Sequence, residues 1–454
     1  MMKTSECRTR KEWAAWFPQL KLRPLRSVTS GIGAVSKRQG ASILLGLTLM
    51  SDFTCAAEIN RPDLPPPVQV QRALDDHLLV QNAIRTLKME HANQRKWNSG
   101  NYEFNLRAGT GQRNIVGTGQ NLKEWDVELE RPLRLYNKVG IDENIGAASV
   151  AKAEFALGDA RHEAARMLLQ RWFAWQREQA QVVLWQQQVD ILKQQAQMTE
   201  KRVKTGDAPR LELNLAQAAT AQASVSLHQA QLRSQLAGND LTRQFPAIQL
   251  PEEMRHASAT PQTVEHDFLF WKSRILEHNH ELGMAQQQSR VQQLLAQRSR
   301  ADELPDPTVG VRHSSEFGGT EIVNGIYVSM PLSFGLRSAS AEVAEQQAAI
   351  AANQEAFVKH RLENDIYAAY TQAVKNFDTW QQAHEAAQAM RSNAELAAKA
   401  YSLGESSLPD SLSARRFALE SSLAEILAQL DANEARYRLL LDAHLLWAPA
   451  DETP

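Results

Sequence analysis

The sequence predicts a mainly α-helical protein with a membrane β-barrel portion, in which two long coiled-coil hairpins and four short strands per chain arise by internal duplication. Three observations predict it. Two proline-free tracts, Gly140 to Thr205 and Leu336 to Leu403, each run for more than sixty residues. Next to each tract sits a pair of short segments in which the apolar period changes from helical to two. Matching landmarks then recur at one fixed offset: 331 minus 132 for prolines, 404 minus 206 for glycines and 409 minus 209 for prolines all come to about 199.

The N-terminal stretch sets the compartment. Basic residues Lys21, Arg23, Arg26, Lys37 and Arg38 precede an apolar run, Ala41 to Met50, and small residues at Cys55, Ala56 and Ala57 follow it. That order is the pattern of a secretory signal peptide, assigned to residues 1–57, with the mature chain beginning near Glu58. Cys55 is not expected to carry lipid, because Asp52 and Thr54 occupy the places where a lipidation site wants an apolar and a tiny residue. Both cysteines, Cys7 and Cys55, lie in this segment, so the body has no disulfide or thiolate site. No later stretch offers the eighteen uninterrupted apolar residues of a membrane helix, so any membrane insertion must be by strands.

Residues 58–69 read as a Pro-rich spacer and 70–244 as the first repeat. A helix is expected over Val70 to Trp97. Tyr102, Phe104 and Leu106 then alternate with Glu103, Asn105 and Arg107, and after a Gly-rich loop Trp125, Val127 and Leu129 alternate with Asp126, Glu128 and Glu130. In the tract that follows, Val182, Trp185, Val189, Leu192, Ala196, Thr199 and Val203 step by three and four, the seam of a coiled coil. At about 1.5 Å per residue it makes a rod on the order of 100 Å long. Gly206, Asp207, Ala208 and Pro209 break it, and Leu211, Leu215, Ala218, Val225, Leu232 and Leu236 stripe the returning helix. Trp172, Trp175 and Trp185 on the rod read as packing between helices.

A connector, 245–263, leads to the second repeat, 264–447, with a helix over Val264 to Arg300 and strands at Thr308 to Ser314 and Gly325 to Met330. The second rod turns at Gly404, Glu405 and Pro409, and Leu412, Leu419, Leu423, Ile426, Leu430, Tyr437 and Leu440 stripe its return. Residues 448–454 form a tail.

Four strands cannot close a barrel, because open edges would leave backbone groups unpaired in lipid. Three chains supply twelve, an even number within the range of such barrels. Tyr102, Phe104, Trp125, Val127, Val309 and Val328 are then expected to face lipid, and Glu103, Arg107, Asp126, Glu128 and Glu130 a wet lumen.

With these features in register, the mature chain resembles the outer-membrane efflux family, the TolC-like channels. The resemblance is most specific at the tips: Thr205-Gly206-Asp207-Ala208-Pro209 running to Leu213-Asn214-Leu215-Ala216-Gln217, and Leu403-Gly404-Glu405-Ser406-Ser407-Leu408-Pro409-Asp410 running to Ala414. The first departs from the pattern, with Asn214 near the place that holds Asp410 in the second. The resemblance implies a homotrimer in the outer membrane with a periplasmic helical tunnel. It implies tips that dock on a periplasmic adaptor, a membrane fusion protein, which joins them to an inner-membrane transporter of the RND type. It places Glu395, with Glu200 as its first-half counterpart, where such channels carry an acidic ring at the periplasmic entrance. The short strand loops and acidic lumen candidates favour the heavy-metal cation branch over protein secretion.

Other chemistry is not expected. A net charge of -2 excludes a nucleic-acid partner. No nucleotide loop, catalytic triad or HExxH motif occurs, so the chain reads as a non-enzyme without cofactor. His278 and His280 point to different sides of one helix and read as solvated surface rather than metal ligands. A periplasmic adaptor would have one hairpin flanked by β modules, and a structural coiled coil would lack the paired strands.

Overall fold

The computed structural model describes residues 61–251, 259–333 and 335–447. The signal segment, Cys55 and the tail fall outside these residues, as does part of the connector. In chain order the elements are α1 (Pro67–Asp75), α2 (Leu78–Ser99), β1 (Asn105–Ile115), β2 (Gln120–Pro132), α3 (Tyr136–Thr205), α4 (Arg210–Gln244), α5 (Phe268–Glu277), α6 (His280–Ala301), β3 (Thr308–Glu316), β4 (Glu321–Ser329), α7 (Leu336–Ser402) and α8 (Leu408–Asp442). The duplication is plain: α3 is 70 residues long and α7 is 67, and each return helix, α4 and α8, has 35.

The strands form one antiparallel sheet in the order β1-β2-β3-β4, so the two halves meet at β2 and β3. Below it, α3 packs on α4 and α8, and α8 on α7; nearer the sheet, α2 packs on α3, α3 on α6, and α6 on α7. The largest core gathers where α3, α4 and α8 converge. Leu168, Leu169, Trp172, Phe173 and Trp175 of α3 meet Leu241 and Phe245 at the end of α4, and Leu430, Tyr437 and Leu441 of α8. Phe173 is fully buried and contributes on the order of 1.5–3 kcal/mol relative to exposure. The N-terminal segment is tied into this core through Asp63: its carbonyl accepts from Trp172 and Gln176, both at 2.8 Å, and its carboxylate from the Tyr437 hydroxyl.

Several expectations need correction. The helix expected over Val70 to Trp97 is two, split at Asp76 and His77, and that over Val264 to Arg300 is split at His278 and Asn279. In both halves a side chain caps the new start: His77 accepts from the Leu79 amide and Asn279 from the Leu282 amide. Helical periodicity continues through such a break, so the apolar pattern hides it. β1 begins at Asn105, not Tyr102, and includes Gly109 and Gly111, which read as a loop by composition. The Gly109 position faces Asp126, where a Cβ would sit 2.6 Å from a carboxylate oxygen, so glycine here marks close cross-strand packing.

The large apolar residues that stripe α4 are not the face buried in the hairpin. Ala216, Ala223, Leu227, Ala230, Ser234 and Gly238 are buried instead, while Leu211, Val225, Leu232 and Leu236 are at least half exposed. Small residues let the two rods of one chain approach closely, and the large residues are left for something else.

Candidate channel surfaces

The strand register sorts the side chains into two faces. One carries Leu106, Leu129, Val311 and Ile326 in a single row across the four strands, with Trp125, Val127, Val309 and Val328 in neighbouring rows. The other carries Arg107, Glu128 and Arg312 in one row and Asp126 and Glu130 beside it. Glu128 lies 3.8 Å from Arg107 and 3.6 Å from Arg312, and the Tyr327 hydroxyl donates to Glu130 at 2.9 Å. The register thus sets Arg107, Asp126, Glu128 and Glu130 on one face and Trp125, Val127, Val309 and Val328 on the other. Three residues depart from it. Glu103, Tyr102 and Phe104 precede β1, and Tyr102 is half-buried with its hydroxyl donating to Asp306 at 2.8 Å rather than facing outward.

A charged junction joins sheet to rods. Lys138, fully buried, reaches Asp302 and Asp306, both at 3.0 Å, and the Leu304 carbonyl. Asp142, also buried, is held by Arg134 at 3.0 Å and Arg298 at 2.6 Å. Such a buried pair costs most when one partner is removed. These groups come from both repeats, so sequence spacing gave no sign of them.

The protein has open edges at every level. Among the described residues, β1 and β4 each have one unpaired side. In the lower helices α4 and α7 are outermost, and nearer the sheet α2 and α7 are. Large apolar side chains stand out on the outer helices: Val225 and Leu232 on α4, and Val343, Ile350 and Phe357 on α7, each pair of neighbours seven residues apart. Val225 is 50% exposed and Phe357 68%. Heptad spacing on a face left uncovered among the described residues is the pattern of a helix–helix seam.

Both tips use one backbone device. Gly206 and Gly404 have φ of 85° and 80°. The Gly206 amide donates to the Val203 carbonyl and Asp207 to Arg202; Gly404 donates to Tyr401 and Glu405 to Ala400, the double closure of a Schellman turn. Beyond it they diverge. Ser407 caps α8, accepting from the Asp410 amide and donating to its carboxylate at 2.6 Å, and Pro409 sits in the first turn. Pro209, by contrast, is the N-cap of α4, with extended backbone and no side-chain acceptor. The Thr205 hydroxyl instead donates to Asp207 at 2.6 Å.

Glu200 and Glu395 also differ. Glu200 binds Lys204 of its own helix at 2.7 Å, which holds its carboxyl below the usual range. Glu395 and Leu396 are exposed, and Ala394 just before them is buried. Sequence reasoning missed the group that joins the two tips. The Tyr401 hydroxyl donates to Glu212 at 2.8 Å, and Arg202 lies over the Tyr401 ring at 5.0 Å. Tyr401 packs with Ala216 and Leu408, and burial pushes its phenol up. Both residues have landmarks, since Tyr401 is three before Gly404 and Glu212 six after Gly206, but their meeting depends on how the hairpins pack.

Among the described residues, no group of three His, Cys, Asp or Glu side chains is arranged to hold a metal ion, and no helix is long and apolar enough to cross a membrane.

A fold so arranged defines a class, and solved structures share it. A membrane protein from Pseudomonas aeruginosa superposes with a TM-score of 0.68 at 16% identity, covering 83% of this chain and 91% of that one. The outer membrane protein VceC from Vibrio cholerae gives 0.66 at 16% identity over 83% and 95% of the two chains. The Campylobacter jejuni CmeC outer membrane channel gives 0.65 at 15% identity over 83% and 84%. The chain thus has the fold of outer-membrane channel proteins. No family model matches the sequence, and no curated protein matches it.

Proposed function

We propose that this chain is the outer-membrane channel of a tripartite efflux system, a passive exit duct fed by an inner-membrane pump through a periplasmic adaptor. The observation that carries it is the pair of open edges repeated at the sheet, the upper helices and the lower helices. A sheet with polar and apolar faces and two open edges is satisfied in lipid only by closing on further copies. Three copies close twelve strands and twelve long helices into one tube. Trp125, Val127 and Val328 then meet lipid, and Asp126, Glu128 and Glu130 line the lumen. The lower tube is periplasmic and its tips, Gly206, Asp207 and Pro209 with Gly404, Glu405 and Pro409, meet the adaptor. Tyr401 and Glu212 fasten one hairpin to the other at that end, and Glu395 adds an acidic ring at the entrance.

The test is a deletion strain complemented with the chain. A trimer in the outer-membrane fraction that dissociates only on boiling, together with restored efflux, supports the reading. A soluble periplasmic monomer contradicts it.

A further inference from the structure

The chain has two unlike edges beside the sheet. α2 runs into β1 at one of them, and α7 runs out of β4 at the other. On the first, Val80 is buried in the main core, while Leu78, Asn82, Arg85, Met89, Ala92 and Lys96 are all exposed and step by four and three along the opposite side. On the second, Ala341, Ala351 and Leu362 are buried, while Ala339, Val343, Gln346, Ile350, Asn353 and Phe357 are all exposed and step by four and three. Both stripes have the spacing of a coiled-coil seam.

The two stripes fit one another. α2 ends at the sheet and α7 begins there, so the two can meet only antiparallel. Leu78 lies 21 residues before Ser99, the end of α2, and Phe357 lies 21 residues after Leu336, the start of α7, a depth of about 32 Å in each case. The same count sets Asn82 beside Asn353 and the small Ala92 beside Val343. A polar layer of this kind fixes the register of a seam, because a slipped seam loses the amide pair. The charges match as well. Over 78–99, α2 carries Arg85, Lys88, Arg95 and Lys96 against the single acid Glu90, and over 336–357, α7 carries Glu342, Glu345 and Glu355 against the single base Arg337. Among the described residues, neither the four bases of α2 nor Glu342 is in an ion pair.

We propose that α2 of one copy and the sheet-proximal part of α7 of a second copy form an antiparallel seam, in register from Leu78 on Phe357 to Lys96 beside Glu342. The seam rests on the trimeric channel proposed above and names the surfaces by which its copies meet. Because the two stripes differ, the contact is head-to-tail and repeats until a ring closes. Leu78 is 76% exposed in the single chain and Val343 57%, so the apolar layers gain most from a partner. Arg85 falls level with Ile350, where its methylene stem covers the apolar side chain and its guanidinium stays in water. Lys96 and Glu342 differ in depth by about 5 Å, which the lysine stem spans. The basic edge thus recognises the acidic one, and neither recognises itself.

Cysteine pairs test the seam, since the sequence has no cysteine after Cys55. Oxidation of the outer-membrane assembly carrying Leu78→Cys with Phe357→Cys is expected to join chains into a ladder that ends at three. The pair Leu78→Cys with Ile350→Cys, about 10 Å out of register, is expected to give about tenfold less, because a disulfide needs Cα atoms closer than about 7 Å. Glu342→Lys is expected to lower the trimer fraction about fivefold in a detergent dilution series followed by native mass spectrometry, and Lys96→Glu in the same chain to restore it. A trimer that cross-links equally at the offset pair, or not at all at Leu78 and Phe357, overturns the seam and leaves the channel reading standing. So does a trimer unmoved by Glu342→Lys or not restored by Lys96→Glu. A wild type that is a single chain overturns both.

Discussion

The rods α3 and α7 are duplicates of nearly equal length, yet one is an interior element and the other an edge. α3 has nineteen buried residues and α7 eight, among the described residues. The cause is position in the layer: α3 lies between α4 and α8 below and between α2 and α6 above, whereas α7 has a neighbour on one side only. Duplication supplied two copies of one hairpin, and packing made them unequal. Residues that stabilise the single chain therefore concentrate on α3, and the exposed apolar residues that the proposed trimer would cover lie on α7 and α4.

Truncating an interior residue breaks that comparison most severely. Trp172→Ala removes a ring from the main core along with its hydrogen bond to Asp63, and is expected to destabilise the protomer by about 3–5 kcal/mol. Chemical denaturation of the purified chain measures it. The same truncation at the edge, Phe357→Ala, is expected to leave the protomer's circular dichroism unchanged and lower the yield of assembled channel. Equal loss of protomer stability in both variants would erase the distinction between the rods.

The tips sharpen it at smaller magnitude. A β-branched residue at positive φ costs on the order of 1–2 kcal/mol, so Gly404→Val should distort the turn locally. The assembly is expected to reach the membrane while efflux and adaptor cross-linking fail; full efflux would make the tip a mere connector. Tyr401→Phe deletes one hydrogen bond to a carboxylate, worth about 1.5–3 kcal/mol at most, and the half-buried site lowers that. Higher single-channel conductance with unchanged assembly is expected, and unaltered conductance would deny the bond a role in closing the tip.

The smallest effect concerns pH. Burial alone would raise the Asp442 carboxyl, but the hydrogen bond from His162 and the guanidinium groups of Arg166 and Arg438 outweigh it and hold it well below the usual range. A depressed carboxyl contributes stability that is present above its unfolded pKa and lost as pH falls through the folded value. Between neutrality and about pH 4 this group should therefore contribute a constant amount. Urea denaturation across pH measures it: Asp442→Asn is expected to remove the acid-labile part of the stability below about pH 4, and a loss from this group already complete at about pH 5.5 would contradict the assignment.

The duplication, the rods and both tip turns were legible in the sequence because they rest on short-range patterns: heptads, alternation, and glycine ahead of proline. What stayed hidden depends on contacts between the halves. The Lys138 site takes its acids from the second repeat, Tyr401 takes its partner from the first, and His278 and His280, read as solvated surface, are half-buried beside His444. The α4 stripe is apolar in the sequence, yet the small residues of another face are the ones buried in the hairpin. Heptad spacing tells that a face will be covered, and not by which helix.

The mass of the detergent-purified mature assembly, by native mass spectrometry, tests the central claim most directly. In the proposed channel the open edges at β1 and β4, α2 and α7, and α4 and α7 are closed by a ring of three chains, each giving four strands to a twelve-stranded barrel. The account predicts three copies, reduced to single chains by Val225→Asp with Phe357→Asp. A wild-type protein that is a single chain in detergent, with its edges unpaired, would contradict it.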